Sequence, residues 1–152
     1  MDLTMAFTIK GKLERGLNCA HNSLALQLPH VIREFPELAN CYPGTLNLRL
    51  EAPLLVLVPD HRTKPIAWHP QTADAETFDF LRVRLEAPLG AAPIPAWFYI
   101  AHWSKHRGDL WLQEVVTHQK VNIATGDVCC VHINRPWVQL PYNALPVVVV
   151  LK

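Results

Sequence analysis

Cys41-Tyr42-Pro43-Gly44-Thr45-Leu46-Asn47-Leu48-Arg49-Leu50 is the stretch on which the fold turns. Pro43 fixes φ and Gly44 tolerates positive φ, so Tyr-Pro-Gly-Thr predicts a tight turn of type II. Leu46, Leu48 and Leu50 then alternate with Asn47 and Arg49, the period of a half-buried strand. That period puts Thr45, Asn47 and Arg49 on the face opposite the leucines. The plain reading is a strand with a polar outer face. The chemical reading is a hydroxyl, an amide oxygen and a guanidinium beside turn amides, a set that could hold a metal–phosphate group.

Working outward, Phe7 to Leu13 alternates and predicts a first strand. Gly16 opens a polar loop that runs to Ser23. Leu24, Leu26 and Leu28 alternate again, as in a short strand or extended segment. Pro29 to Leu38 holds the best helix signal, with Val31, Ile32, Phe35 and Leu38 at helical spacing and Pro29 suited to a first turn. Pro36 ends or bends that helix near Phe35. Further strands are expected at Leu46–Leu50, Leu54–Val58, Phe78–Leu85, Trp97–Ala101, Leu110–Val116, Val128–Ile133 and Val147–Leu151. About eight short strands with one helix predict a mainly β chain, a barrel or a sandwich. Residues 1–134 read as one β domain, and residues 135–152 as a Pro-rich extension ending in a strand. Arg49-Leu50-Glu51-Ala52-Pro53-Leu54 recurs letter for letter at Arg84-Leu85-Glu86-Ala87-Pro88-Leu89. Two copies are either equivalent elements of a pseudo-symmetric barrel or a coincidence of strand ends.

Composition narrows the function classes. The 152 residues suffice for one core, and a net charge of +1 without any basic run argues against nucleic acid as a partner. Thirteen prolines argue against a helical bundle. The first residues lack a basic segment followed by a long apolar run, so no signal peptide is expected. Val147 to Leu151 is too short to span a bilayer, and no membrane partner is expected. Cys19, Cys41, Cys129 and Cys130 form no CxxC spacing and read as reduced, buried thiols of a cytoplasmic protein.

The order of elements resembles the archaeal-type CTP-dependent riboflavin kinases, which are small cradle-loop β-barrels. The matching pieces are Ile9-Lys10-Gly11-Lys12-Leu13 with Arg15-Gly16-Leu17, the helix near Pro29–Phe35, Tyr42-Pro43-Gly44-Thr45-Leu46-Asn47-Leu48, and Thr125-Gly126-Asp127-Val128. The resemblance covers residues 7 to 133. It implies a single cradle-loop barrel that transfers phosphate from CTP or another nucleotide to riboflavin or a similar alcohol. It implies that Thr45 and Asn47 hold Mg2+, a cation that accepts neutral oxygens when phosphates and water complete its shell. It implies nucleotide contacts at Gly16, Leu17, Asn18 and Gly44, and flavin contacts at Ser104, His106 and Glu114. No catalytic residue is assigned.

Two segments depart from the family pattern. Its glycine loop continues here as Asn18-Cys19-Ala20-His21, and its short Leu-Arg helix has no counterpart between Thr117 and Thr125. These departures keep a second expectation open, a non-catalytic ligand-binding or assembly module on the same barrel. For that module the strand at Val147–Leu151 offers an edge to a second copy, giving a homo-oligomer. Trp97, Trp103 and Trp111 are either stacking surfaces for a planar ring or ordinary packing. His102 and His106, four apart, have zinc-like spacing without a supporting CxxC or HExxH motif. No nucleophile elbow or Walker loop is present.

Overall fold

Six antiparallel strands close on themselves in the order β5-β6-β7-β2-β1-β8, because β5 also pairs with β8. The computed structural model describes residues 6–15, 20–103, 107–142 and 145–152. Its strands are β1 Ala6–Glu14, β2 Leu46–Leu50, β3 Leu54–Val56, β4 His61–Arg62, β5 Phe78–Glu86, β6 Ile94–Ala101, β7 Leu112–Thr117, β8 Val128–Asn134, β9 Trp137–Tyr142 and β10 Leu145–Val150. A helix, α1, spans Ala20–Glu34, and a 3-10 turn follows at Pro36–Leu38. The chain is a mainly β barrel, as the alternation predicts.

Alternate residues fill the barrel. Ile9, Leu48, Leu50, Leu81, Val83, Leu85, Phe98, Val115, Val131 and Ile133 form one buried cluster. Gly11 lets β1 approach β2 closely, since a Cβ there would lie 3.1 Å from Leu48 Cβ and 3.2 Å from a Leu50 methyl. The opposite face of β5, β6 and β7 carries Phe78, Phe80, Trp97, Tyr99 and Val116, which meet Leu24, Leu28, Val31 and Phe35 of the helical segment. All six residues of β7 are therefore buried. One face looks into the barrel and the other lies under α1.

The extended segment expected at Leu24–Leu28 is instead helix, and Pro29 lies inside α1 rather than at its first turn. Leu24 and Leu28 are buried while Leu26 is 45% exposed, so the three leucines follow helical and not alternating spacing. Each buried apolar side chain is worth roughly 1.5–3 kcal/mol. Leu24, Leu28 and Val31 on one stripe outweigh the roughly 3 kcal/mol cost of an internal proline. That cost is also softened because Pro29 and Ala25 both face solvent.

The turn before β2 also differs from expectation. Gly44 N–H donates to the Tyr42 carbonyl at 2.9 Å, closing a three-residue turn around Pro43. Positive φ among described glycines occurs at Gly90 and Gly126 and not at Gly44. Proline's own φ satisfies the tighter turn, so Gly44 need not adopt the type II geometry. Gly126 does use its freedom: its N–H reaches Leu13 O, and Asp127 Oδ2 accepts from Ala124 N–H within the same turn.

Two strands escape the sequence pattern. β4 is only two residues long, and β9 runs through a proline-rich stretch. β9 pairs with β10, and β10 runs parallel to β3, making a separate three-stranded sheet, so the strand at Val147–Leu151 is paired on both sides and is not the open edge expected for a second copy. Val150 of β10 belongs to the barrel core cluster. Arg135 clasps this sheet to the barrel, donating to Asp60, to the Val58 carbonyl and to the Leu151 carbonyl. The two hexapeptide copies occupy matching places. Leu50 lies beside Gly11 of β1, Leu85 lies beside Val131 of β8, and both enter the core.

Candidate functional site

A single row of residues crosses the outer face of the barrel beneath α1. Strand register aligns Glu14 with Asn47, Asn47 with Glu114, Glu114 with Tyr99, Tyr99 with Phe80, and Phe80 with His61. Its first four members are polar or amphipathic, and the last two pack on Phe35 of the loop after α1. The Tyr99 hydroxyl donates to Gln27 Oε1 of α1, and both residues are buried. The helical segment therefore covers the Tyr99–Phe80–His61 part of the row, with a polar contact at one end and aromatic packing at the other.

Thr45 stands just before β2 on the same face as Asn47. Its hydroxyl donates to Glu114 Oε1 at 3.3 Å. Asn47 is 6% exposed, and its Oδ1 has no hydrogen-bond partner among the described residues. A buried carbonyl oxygen left bare costs about 1–3 kcal/mol, so this atom is a vacant acceptor held at the protein's expense. Neutral oxygens of this kind suit Mg2+. Among the described residues no group of three or more His, Cys, Asp or Glu gathers as a metal cluster. A cation held here would rest on Thr45 Oγ1 and Asn47 Oδ1. Arg49, on the same face, is already engaged: Nε and Nη2 donate to Glu14, and Nη1 donates to Asp109 at 2.9 Å.

Gly44 lies in the turn that leads into Thr45. Gly16, Leu17 and Asn18 of the expected nucleotide loop, and Ser104 and His106 of the expected flavin contacts, lie outside the described residues. Of the three tryptophans, Trp97 is buried with its indole N–H on Glu37 at 2.7 Å, whereas Trp103 is half exposed. Cys41, Cys129 and Cys130 are free and buried. Burial pushes the Cys41 and Cys129 thiols up to about 11.

A cavity of about 280 Å3 opens where β6 and β7 part, below the Tyr99–Glu114 pair. Glu114 lines it, while Thr45 and Asn47 do not. Its wall contains a relay that sequence reading missed. Asp79 accepts two bonds from Arg62, at 2.7 and 2.9 Å, and one from His102 Nε2 at 3.1 Å. The signal lay in parity, for Asp79 shares its face with Leu81, Val83 and Leu85 and is an acid in a core register. Burial pushes the Asp79 carboxyl up, but the bonds from Arg62 and His102 outweigh it and hold the group below its ordinary range. A depressed carboxyl stabilises the fold above its unfolded pKa, about 3.9, and loses that contribution as pH falls through the lower folded value. The stability difference between the wild type and Asp79→Asn is thus expected to shrink as acid unfolding curves are taken below about pH 4. A difference unchanged at pH 3 would show that the Asp79 carboxyl is not depressed in the fold.

The sequence matches no protein-family model and no curated protein. Among the described residues no helix is long and apolar enough to cross a membrane.

Proposed function

We propose that the chain transfers phosphate from a nucleotide to riboflavin or a similar alcohol, as do the CTP-dependent riboflavin kinases it resembles. The reading is carried by the meeting of Thr45 with Glu114. These residues lie 69 positions apart and were expected on separate grounds, one for metal and one for substrate, yet they share a hydrogen bond. Asn47, in register with Glu114, adds a bare buried oxygen to the same face.

In this reading Thr45 Oγ1 and Asn47 Oδ1 hold Mg2+, which neutralises phosphate charge when bound. Glu114 accepts a hydrogen bond from the hydroxyl of the acceptor, a substrate to which the resemblance also assigns Ser104 and His106. To the nucleotide the resemblance assigns Gly44, Gly16, Leu17 and Asn18. Phosphoryl transfer asks mainly for positioning and charge neutralisation, so a site without a metal-binding carboxylate cluster suffices. Free buried thiols fit a cytoplasmic setting.

Calorimetric titration with riboflavin, FMN, CTP and ATP, each with and without Mg2+, tests the proposal. The expected result is Mg2+-dependent binding of a nucleotide and binding of riboflavin. Failure of all four ligands to bind in Mg2+ overturns it. One observation favours an assembly module as the second reading. Val138 and Leu140 on edge strand β9 are 38% and 51% exposed, next to exposed Leu55 and Leu145 on the same sheet. That reading predicts no ligand binding together with a dimeric mass in solution.

A further inference from the structure

The cavity between the parted ends of β6 and β7 holds a constellation distinct from the Thr45–Asn47 pair. Leu54, Leu110 and Leu112 give it apolar lining, and His102 forms part of its wall. The His102 Nε2 lies 3.1 Å from Asp79 Oδ2. An ionised carboxylate only accepts, so Nε2 is the donor, and the ring in its neutral form keeps its lone pair at Nδ1. Nδ1 makes no hydrogen bond to a described residue. Asp79 is 4% exposed and is pinned by both Arg62 donors. Turning the ring over would take a donor from a buried carboxylate, so the tautomer and the orientation are fixed together. A carboxylate that orients an imidazole in this way leaves the other nitrogen ready to accept.

We propose that this cavity is a ligand site for a small, flat molecule bearing a hydroxyl or N–H donor, received by His102 Nδ1 while Asp79 holds the ring. At about 280 Å3 the space is near the lower bound of roughly 300–1,000 Å3 for ligand pockets, so it suits one ring or a fused pair. The leucines give the ring apolar cover, and among the polar lining groups, which include Arg62, Arg107, Gln113 and Glu114, His102 is the one that Asp79 orients. Glu114, assigned above to the acceptor alcohol, also lines this cavity, but the ligand test needs neither nucleotide nor Mg2+, so its failure is distinguishable from failure of the phosphotransfer reading.

The full chain, labelled with 15N-histidine and assigned through bonds, can be titrated with phenol and with toluene. A merely apolar hole takes toluene more tightly, because phenol must shed the water on its hydroxyl. The expected result is phenol binding at least about tenfold tighter than toluene, the scale of one good hydrogen bond, with movement of the His102 Nδ1 resonance. Toluene binding as tight as phenol, absence of phenol binding, or phenol binding that leaves this resonance in place overturns the proposal. His102→Phe is expected to reverse the preference. The wild-type comparison decides the matter even if that variant does not fold.

Discussion

Asn47→Val should make the protein more stable and stop it binding nucleotide. Asn47 Oδ1 is buried and bare in the ligand-free fold, a state that costs about 1–3 kcal/mol. Valine removes the oxygen and suits an interior strand. A gain of about 1 kcal/mol is expected, seen as a rise of roughly 3 °C in Tm. The same change removes one of two oxygens assigned to Mg2+, so Mg2+-dependent nucleotide affinity should weaken at least about tenfold, or about 1.4 kcal/mol. The two readouts move in opposite directions, which a purely structural asparagine would not produce. Paired calorimetry and thermal unfolding check it. A less stable variant that still binds nucleotide in Mg2+ would remove Asn47 from the site.

Phe80→Ala should be the most damaging single change among the aromatic residues under α1. Phe80 has no exposed surface and sits 5.8 Å from Phe35 and 5.9 Å from Tyr99, ring centre to ring centre. It is the apolar half of the row that α1 covers. Truncating a buried phenylalanine costs about 3–5 kcal/mol, a fall of roughly 10 °C or more in Tm for a chain of this size. Leu26→Ala on the exposed face of α1 is the control, with an effect within about 0.5 kcal/mol. Urea unfolding of both variants gives the comparison. A loss below about 1 kcal/mol for Phe80→Ala would mean that α1 is not anchored there.

Strands with one wet face were legible in the sequence because alternation survives there. β1, β2 and β8 lie close to where Phe7, Leu46 and Val128 announced them, and exposed Arg82 and Arg84 keep the period along the second half of β5. β7 is covered on both sides, and its Leu-Gln-Glu-Val-Val-Thr carries no clean period, yet its valines still mark a strand. The helix was mistaken at Leu24–Leu28 because leucines at 24, 26 and 28 satisfy an alternating template as well as part of a helical one. Only burial of residues 24 and 28 with exposure of 26 separates the two. β4 is held by its pairing with β5 and has no local signature. Within the site, the contact from Thr45 to Glu114 could be anticipated only through the family resemblance, since no local pattern links residues so far apart. The Asp79–His102 relay needed register: a lone acid in a core strand is visible, but its partner, in the turn just after β6, is not.

Closure by β1 against β8, in register from Ala6↔Asn134 to Lys12↔Val128, ties an early part of the polypeptide to a late one. A growing chain cannot shut the barrel until residue 134 is available. Until then β1 and β5, the two strands that β8 joins, present open hydrogen-bonding edges, and the leucines of β2 lack their far wall. Non-local pairing of this kind folds slowly and leaves sticky intermediates, so yield on expression should depend more on chaperones and growth temperature than on the stability of the finished protein.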